Sequence, residues 1–350
     1  MTSTPKVSVI IPTFNRASLL VKAIESVKAQ DYKNWECLVV DDCSTDGTWQ
    51  MLQELAISDN RILIYKMQGQ QQGAPACRNY GLKKCTGNLV IFLDSDDLLA
   101  NFCISVRVKY FLENEASDFL VFPILIFNET THDLNLLWNI ATEESDLIRF
   151  LKTDAVWQTS SVIYKKNVLL QNEGFRENLK FWQDFDLHLR LLLNGANYKK
   201  FLNLQPDCYH RNHESRISAR VNINNERGIL FQKLEFYLWQ MSFMKEHRVT
   251  LTDKEQLTFW SAFMYFASLC LSLLKSKKDY LQFVLRGRKY FPGIKLKYFI
   301  TIIYHLVIYF EDNFNLRSKL GRLYYKAFKR QLADMDVFAG NLIAKVKLST

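Results

Sequence analysis

The alternation of short apolar runs with helical stretches over the first hundred residues constrains the fold most. Val7–Ile11 is apolar and mostly β-branched, and Pro12 ends it. A run without polar alternation suits a strand buried on both faces, as in a parallel sheet. Asn15 then stands where an N-cap is expected, and Leu19, Leu20, Ala23, Ile24 and Val27 recur at helical spacing. The same unit repeats: strands are predicted at Trp35–Val40, Arg61–Tyr65 and Leu89–Leu93. Helices are predicted at Gly47–Ile57 and Ala74–Cys85, the latter closed by Thr86-Gly87. Short connections between alternating strands and helices predict an α/β fold with a right-handed, mostly parallel, Rossmann-like sheet flanked by helices.

Further strands are expected at Asp118–Phe127 and Ser160–Tyr164, and an amphipathic helix with an acidic start at Phe185–Leu193. From about Asn222 the pattern changes to aromatic-rich helices, at Phe231–Lys245, Lys254–Leu274, Tyr280–Tyr290 and Tyr298–Tyr309. A boundary near residue 220 therefore divides a catalytic-type domain, 1–220, with an acceptor half from about 100, from a C-terminal helical region, 221–350.

Polar residues gather where the early strands end: Thr13 and Asn15, Asp41 and Asp42, Asp94 and Asp96. Open α/β sheets bind ligands outside the carboxyl ends of their strands. Asp94-Ser95-Asp96-Asp97 comes directly after an apolar strand. Two carboxylates at i and i+2 are costly to bury as bare charges, and a hard divalent cation such as Mg²⁺ or Mn²⁺ relieves that cost. Asp97 is the spare acid, a candidate N-cap for the next segment of chain.

Four segments resemble, in order and spacing, the family 2 glycosyltransferases with the GT-A fold: residues 7–16, residues 39–47, Gly73–Asn79 and Gly87–Asp97. The resemblance covers roughly residues 5–220. It implies an inverting transfer of sugar from a nucleoside-diphosphate sugar, most simply a UDP-sugar, to an acceptor hydroxyl. By the same resemblance Asp42 takes the base, Pro12, Thr13 and Asn15 line the nucleoside pocket, and Arg78 adds a cation near base or diphosphate. Asp96 ligates the metal, and Asp94 contacts the ribose or a metal-bound water. The segment Phe181–Arg190 is similar to the family's Glu-Asp-x-Asp-Leu stretch, which makes Asp184 the general base and puts Gln183 where Glu is commoner. Residues 209–218 are similar to a loop that folds over the donor, with His213 as a metal or diphosphate contact and Arg211 or Arg216 as a phosphate contact. Trp157 and Trp182 are read equally well as an acceptor platform or as core aromatics.

Of the formal net charge of +9, the excess sits late: residues 221–350 hold 21 Lys and Arg against 10 Asp and Glu. Phe299, Ile302, Ile303, Leu306, Val307 and Phe310 form an apolar stripe between basic residues. That combination suits an interfacial helix on an anionic leaflet, and equally a helical subdomain or a homo-oligomer interface. Seven cysteines without a CxxC pair fit a reducing compartment. With no signal-peptide pattern and no continuous apolar stretch of membrane-spanning length, the expected location is cytoplasmic, with peripheral contact at the inner face of the plasma membrane if the tail is interfacial. The expected acceptor is a saccharide or lipid-linked saccharide of bacterial surface polysaccharide or glycolipid synthesis. A non-catalytic nucleotide-sugar-binding module is the alternative, and Asp184 speaks against it. A dinucleotide-dependent oxidoreductase needs a GxGxxG turn after the first strand, and residues 12–16 contain no glycine. No nucleic-acid-binding motif accompanies the basic tail.

Overall fold

The computed structural model describes residues 4–69, 72–139, 141–179, 182–212, 226–272, 274, 276–288, 290 and 346–347. The chain divides into two compact units, one made of Met1–Glu143, Ala155–Glu214 and Ile343–Thr350, the other of Glu144–Asp154 and Ser215–Leu342.

The first unit opens with the expected alternation: β1 (Val7–Thr13), α1 (Ala17–Lys28), β2 (Trp35–Asp41), α2 (Thr48–Ser58), β3 (Ile62–Lys66), α3 (Ala74–Lys84) and β4 (Leu89–Phe92). β1 and β2 are buried along their whole length, as their unbroken apolar runs require. Pro12 lies inside β1, in register with Val40. Asn15 does not cap α1; it adopts a left-handed conformation at φ 49°, and Arg16 takes the N-cap position.

Next come β5 (Leu98–Leu99), α4 (Cys103–Leu112), β6 (Phe119–Val121), β7 (Ile124–Phe127) and β8 (Leu136–Leu137). The single strand expected over 118–127 is thus two, broken at Phe122-Pro123, and the halves enter different sheets. Proline has no N–H to give a ladder, so the chain changes sheets where the ladder must stop. Beyond α5 (Asp146–Leu151), which belongs to the second unit, lie β9 (Val162–Lys165), α6 (Lys166–Gln171), α7 (Gln183–Leu193), β10 (Tyr198–Lys200) and β11 (Cys208–Arg211).

The main sheet has seven strands in the order β10-β6-β9-β4-β1-β2-β3. β4, β1, β2 and β3 run parallel, and β9 is antiparallel to both β4 and β6. A smaller sheet holds β8, β7, β11 and β5, with β12 (Val346–Lys347) on its outer edge beyond β8. Because β4, β1 and β2 are neighbours, the turns at their carboxyl ends lie side by side. One continuous core, including Val9, Ile11, Leu20, Ile24, Val39, Ile91, Ile104 and Phe122, backs that edge.

Two buried polar clusters pin this frame. Glu36 of β2 accepts from Ser8 Oγ at 2.6 Å and from the Thr86 amide at 2.6 Å, and pairs with Lys6 at 2.7 Å. Arg107 of α4 and Asp207, both shut off from solvent, form a two-pronged pair at 2.8 and 2.6 Å, and Arg107 also donates to the Ser160 carbonyl.

In the second unit, the helices α8 (Glu226–Glu246), α9 (Asp253–Ser272) and α10 (Lys277–Arg288) surround an aromatic core. Tyr237 packs against Phe259, Phe263 and Phe266 with ring centroids 5.1 to 6.2 Å apart. No helix among the described residues is long and apolar enough to cross a membrane. The helix expected at Tyr298–Tyr309, its apolar stripe and the basic residues on either side of it lie outside the described residues.

Candidate active site at the carboxyl edge of the parallel strands

The turns after β1 and β2 are stitched to each other. The Asn15 amide donates to Ser44 Oγ at 2.9 Å, and Asn15 Oδ1 accepts from the Thr45 amide at 2.8 Å. Asn15 therefore holds the two turns together. Asp42, buried, accepts from the amides of Gln72 and Gly73 at 2.9 and 2.8 Å. A carboxylate at these amides fixes the entry to α3, where Gly73 takes φ 91° and Pro75 occupies the first turn.

The neighbouring Asp41 is more exceptional. It is fully buried; Oδ2 accepts from the Ser44 amide at 3.1 Å, while Oδ1 has no hydrogen-bond partner. Directly across in register, Thr13 is also buried and its hydroxyl is also unpartnered. Buried polar atoms are normally satisfied, because an unmade hydrogen bond leaves the full desolvation cost. Thr13 and Asp41, paired in register, thus leave hydrogen-bonding capacity at the carboxyl edge that a ligand could fill.

Arg78 of α3, 5% exposed, joins the two halves of the site. One Nη donates to Asp94 at 2.5 Å and the other to Gln183 Oε1 at 2.9 Å, and the guanidinium carbon lies 5.0 Å from the Phe175 ring centroid. Its Nε is buried without a partner. Gln183, the residue that stands where Glu is commoner, thus gives Arg78 a neutral acceptor and carries the contact into the first turn of α7.

The acidic turn after β4 spreads its three carboxylates over three partners. Asp94 meets Arg78; Asp96 pairs with Arg16; Asp97 is not a helix cap but a buried hub. Asp97 accepts from Ser160 Oγ, His210 Nδ1 and the Arg211 amide, each at about 3.1 Å. Burial pushes its carboxyl above the usual range, against the pull of His210. Arg211, expected at a phosphate, instead turns inward in this structure: it is 7% exposed, donates to the carbonyls of Asp96 and Asn128, and lies 4.3 Å from the Phe127 ring centroid. His213 and Arg216 lie outside the described residues.

Asp184 occupies the first turn of α7, after Trp182 in a left-handed conformation at φ 59°. Its Oδ1 accepts from the Phe185 amide at 2.8 Å. Burial raises its pKa and nearby Asp94 adds to that, while the Phe185 amide and Arg78 oppose it. A carboxylate made more basic than usual suits proton abstraction. Behind it, His188 is fully buried, bonded to the Tyr164 hydroxyl at 2.6 Å, and burial pushes its pKa down to about 3. Trp157 is no acceptor platform: it is fully buried, edge-on to Phe119, Tyr198 and His188. Trp182, partly buried, stacks on Phe185 at 5.2 Å.

Among the described residues no three His, Cys, Asp or Glu side chains stand close enough to hold a metal ion by themselves. Asp94 and Asp96 supply hard oxygen donors, and Mg²⁺-type ions are commonly held by one or two carboxylates together with substrate phosphates. The donor set fits a divalent ion that binds along with a diphosphate.

Residues 8–179 match the sequence profile of glycosyl transferase family 2. This chain carries a family 2 glycosyltransferase domain. Its fold is similar to that of a solved structure: Staphylococcus aureus TarS residues 1–349, in complex with UDP-GlcNAc, superposes with a TM-score of 0.60 at 22% identity, over 81% of this chain and 80% of that one. A Campylobacter jejuni protein described as GalNAc(5)-diNAcBac-PP-undecaprenol beta-1,3-glucosyltransferase is 44% identical over 105 residues, 30% of this chain. The match spans about a third of that relative's length, 34%. The putative colanic acid biosynthesis glycosyl transferase WcaA of Escherichia coli K12 is 29% identical over 205 residues, 55% of this chain and 68% of that one.

Within this domain, the sequence alone assigned no role to Asp41 or Arg16 and left Asp97 as a spare acid. Asp41 was legible only through register, as the last residue of β2 opposite Thr13. The other two depend on contacts between residues 80 and 113 positions apart.

Proposed function

We propose that this glycosyltransferase moves a sugar from a nucleoside-diphosphate sugar, a UDP-sugar by preference, to a hydroxyl of a saccharide or lipid-linked saccharide, with inversion. The observation that carries this is the set of three unpartnered buried polar atoms, Thr13 Oγ1, Asp41 Oδ1 and Arg78 Nε, on the carboxyl edge of the parallel strands. A base edge that donates an N–H satisfies Asp41, and a nucleoside oxygen satisfies Thr13. Pro12 lines the same nucleoside pocket, and Asn15 and Asp42 hold the surrounding turns. Arg78 faces the diphosphate, where a guanidinium is a strong donor. Asp94 lies toward the ribose.

Asp96 would hold the divalent ion, Mn²⁺ or Mg²⁺, and that ion would supply positive charge beside the departing diphosphate. Asp184 takes the proton from the acceptor hydroxyl, which attacks the anomeric carbon from the side opposite the leaving group. Arg78 keeps the two ends of this displacement in register, since it touches Asp94 at the donor and Gln183 beside the base. The acceptor class is supported by the undecaprenol-linked glycan in the Campylobacter relative's name and the colanic acid in the Escherichia coli relative's name.

A thermal-shift panel of UDP, GDP, CDP and their sugars, with and without Mn²⁺, tests the reading, because preferential binding stabilises the folded state by mass action. UDP with Mn²⁺ is expected to raise Tm most, and Asp41→Ala to abolish that rise. No shift with any nucleotide refutes the proposal.

A further inference from the structure

We infer that Arg16 is a tethered counter-ion for Asp96 that makes metal binding depend on the donor diphosphate. The inference rests on the proposed role of Asp96 as metal ligand.

The backbone of Arg16 is held on both sides. Its amide donates to Thr48 Oγ1 at 3.3 Å, and its carbonyl accepts from the amides of Leu19 and Leu20 at 3.1 and 2.9 Å. The preceding Asn15 is fixed in a left-handed conformation by its two bonds to the turn after β2. The side chain is therefore launched from a rigid point at the head of α1, across to the turn after the adjacent strand β4, where its guanidinium meets Asp96 Oδ2. Both partners are largely sheltered, at 25% and 14% exposed. A carboxylate this sheltered carries a desolvation cost, and a guanidinium lowers it.

Charge matching then decides what enters. Asp94 is matched by Arg78 and Asp96 by Arg16, each arginine arriving from a different helix. The four side chains sum to no net charge, so they exert little pull on a dication. A metal ion approaching Asp96 also meets the fixed positive charge of Arg16 at short range. A diphosphate changes both terms. It brings several negative charges and gives the guanidinium a second anion that it can grip with two N–H groups. Arg16 then turns to the phosphate, and Asp96 is released to the metal. Metal and donor thus bind as a coupled pair, and linkage requires the coupling to act equally in both directions.

Mn²⁺ binding to the full chain, followed by electron paramagnetic resonance with and without UDP, reads this directly. In Arg16→Gln, Mn²⁺ alone is expected to bind about tenfold tighter than in the unaltered protein, because a short-range like-charge repulsion is removed. The enhancement of Mn²⁺ binding by UDP should shrink by the same factor. Arg16→Met, which keeps the apolar stem, should repeat the result, and Arg16→Lys, which keeps the charge, should bind Mn²⁺ as the unaltered protein does. Equal or weaker Mn²⁺ binding in both Arg16→Gln and Arg16→Met overturns the counter-ion role. Asp96→Asn separates the two readings: loss of Mn²⁺ binding supports the metal assignment, and unchanged binding refutes that assignment together with this proposal.

Discussion

Removing the Glu36 charge tests how the first unit holds its central strands together. Burial alone would raise the Glu36 carboxyl, but Lys6, Ser8 and Thr86 outweigh it and bring the pKa from 4.5 down to about 2. A shift of that size corresponds to about 3 kcal/mol of stability at neutral pH, and to about 2–3 kcal/mol after allowance for the half-exposed Lys6 ammonium. The sign comes from the depressed value. Above the unfolded pKa the contribution is fully present. As pH falls from 4.5 toward 2, the unfolded chain takes up a proton that the folded one refuses, and the contribution drains away. Glu36→Gln should therefore lower the free energy of unfolding in urea, followed by circular dichroism, at pH 7. The gap between variant and unaltered protein should narrow by about 1 kcal/mol by pH 3.5. A gap that stays constant between pH 7 and 3.5 refutes the reasoning, because the loss would then have nothing to do with the carboxylate charge.

Asp207→Asn strands the fully buried Arg107 guanidinium and should cost about 3–5 kcal/mol in the same urea assay, whereas a paired Arg107→Met, Asp207→Leu change should cost far less. Gly87→Ala places a Cβ 2.7 Å from the Lys6 carbonyl oxygen and 2.9 Å from the Ser8 nitrogen, both backbone atoms, and should destabilise by about 1–3 kcal/mol in that assay. The Asp184 carboxyl is raised by burial, so the acid limb of kcat/KM should lie above the ordinary aspartate value. Activity should fall as pH drops through that raised value, and a pH–rate profile checks it.

Much of the architecture was legible because the first hundred residues alternate cleanly: β1, β2, β3 and β4 each announce themselves as apolar runs, and their connections imply a mostly parallel sheet. The break at Phe122-Pro123 was missed because the apolar character of residues 119–127 is continuous, and only the missing amide of Pro123 signals the change of sheet. At the candidate site, residue types after each strand pointed to the carboxyl edge, but not to which side chains the protein's own groups engage there. Asp41 and Asp42 are adjacent and chemically identical; backbone amides of the 72–73 segment engage the second and leave an oxygen of the first unpartnered. Likewise Arg211 or Arg216 was expected at a phosphate by resemblance to a donor-covering loop, and in this structure the carbonyls of Asp96 and Asn128 hold Arg211 inward.

Transfer by Asp184→Asn, measured beside the unaltered protein with UDP-sugar, Mn²⁺ and a saccharide acceptor, bears most directly on the claim that this edge performs the displacement. With Asp184 as the positioned general base, kcat is expected to fall about 10²–10⁴-fold while UDP binds as before. Undiminished turnover by Asp184→Asn would contradict it.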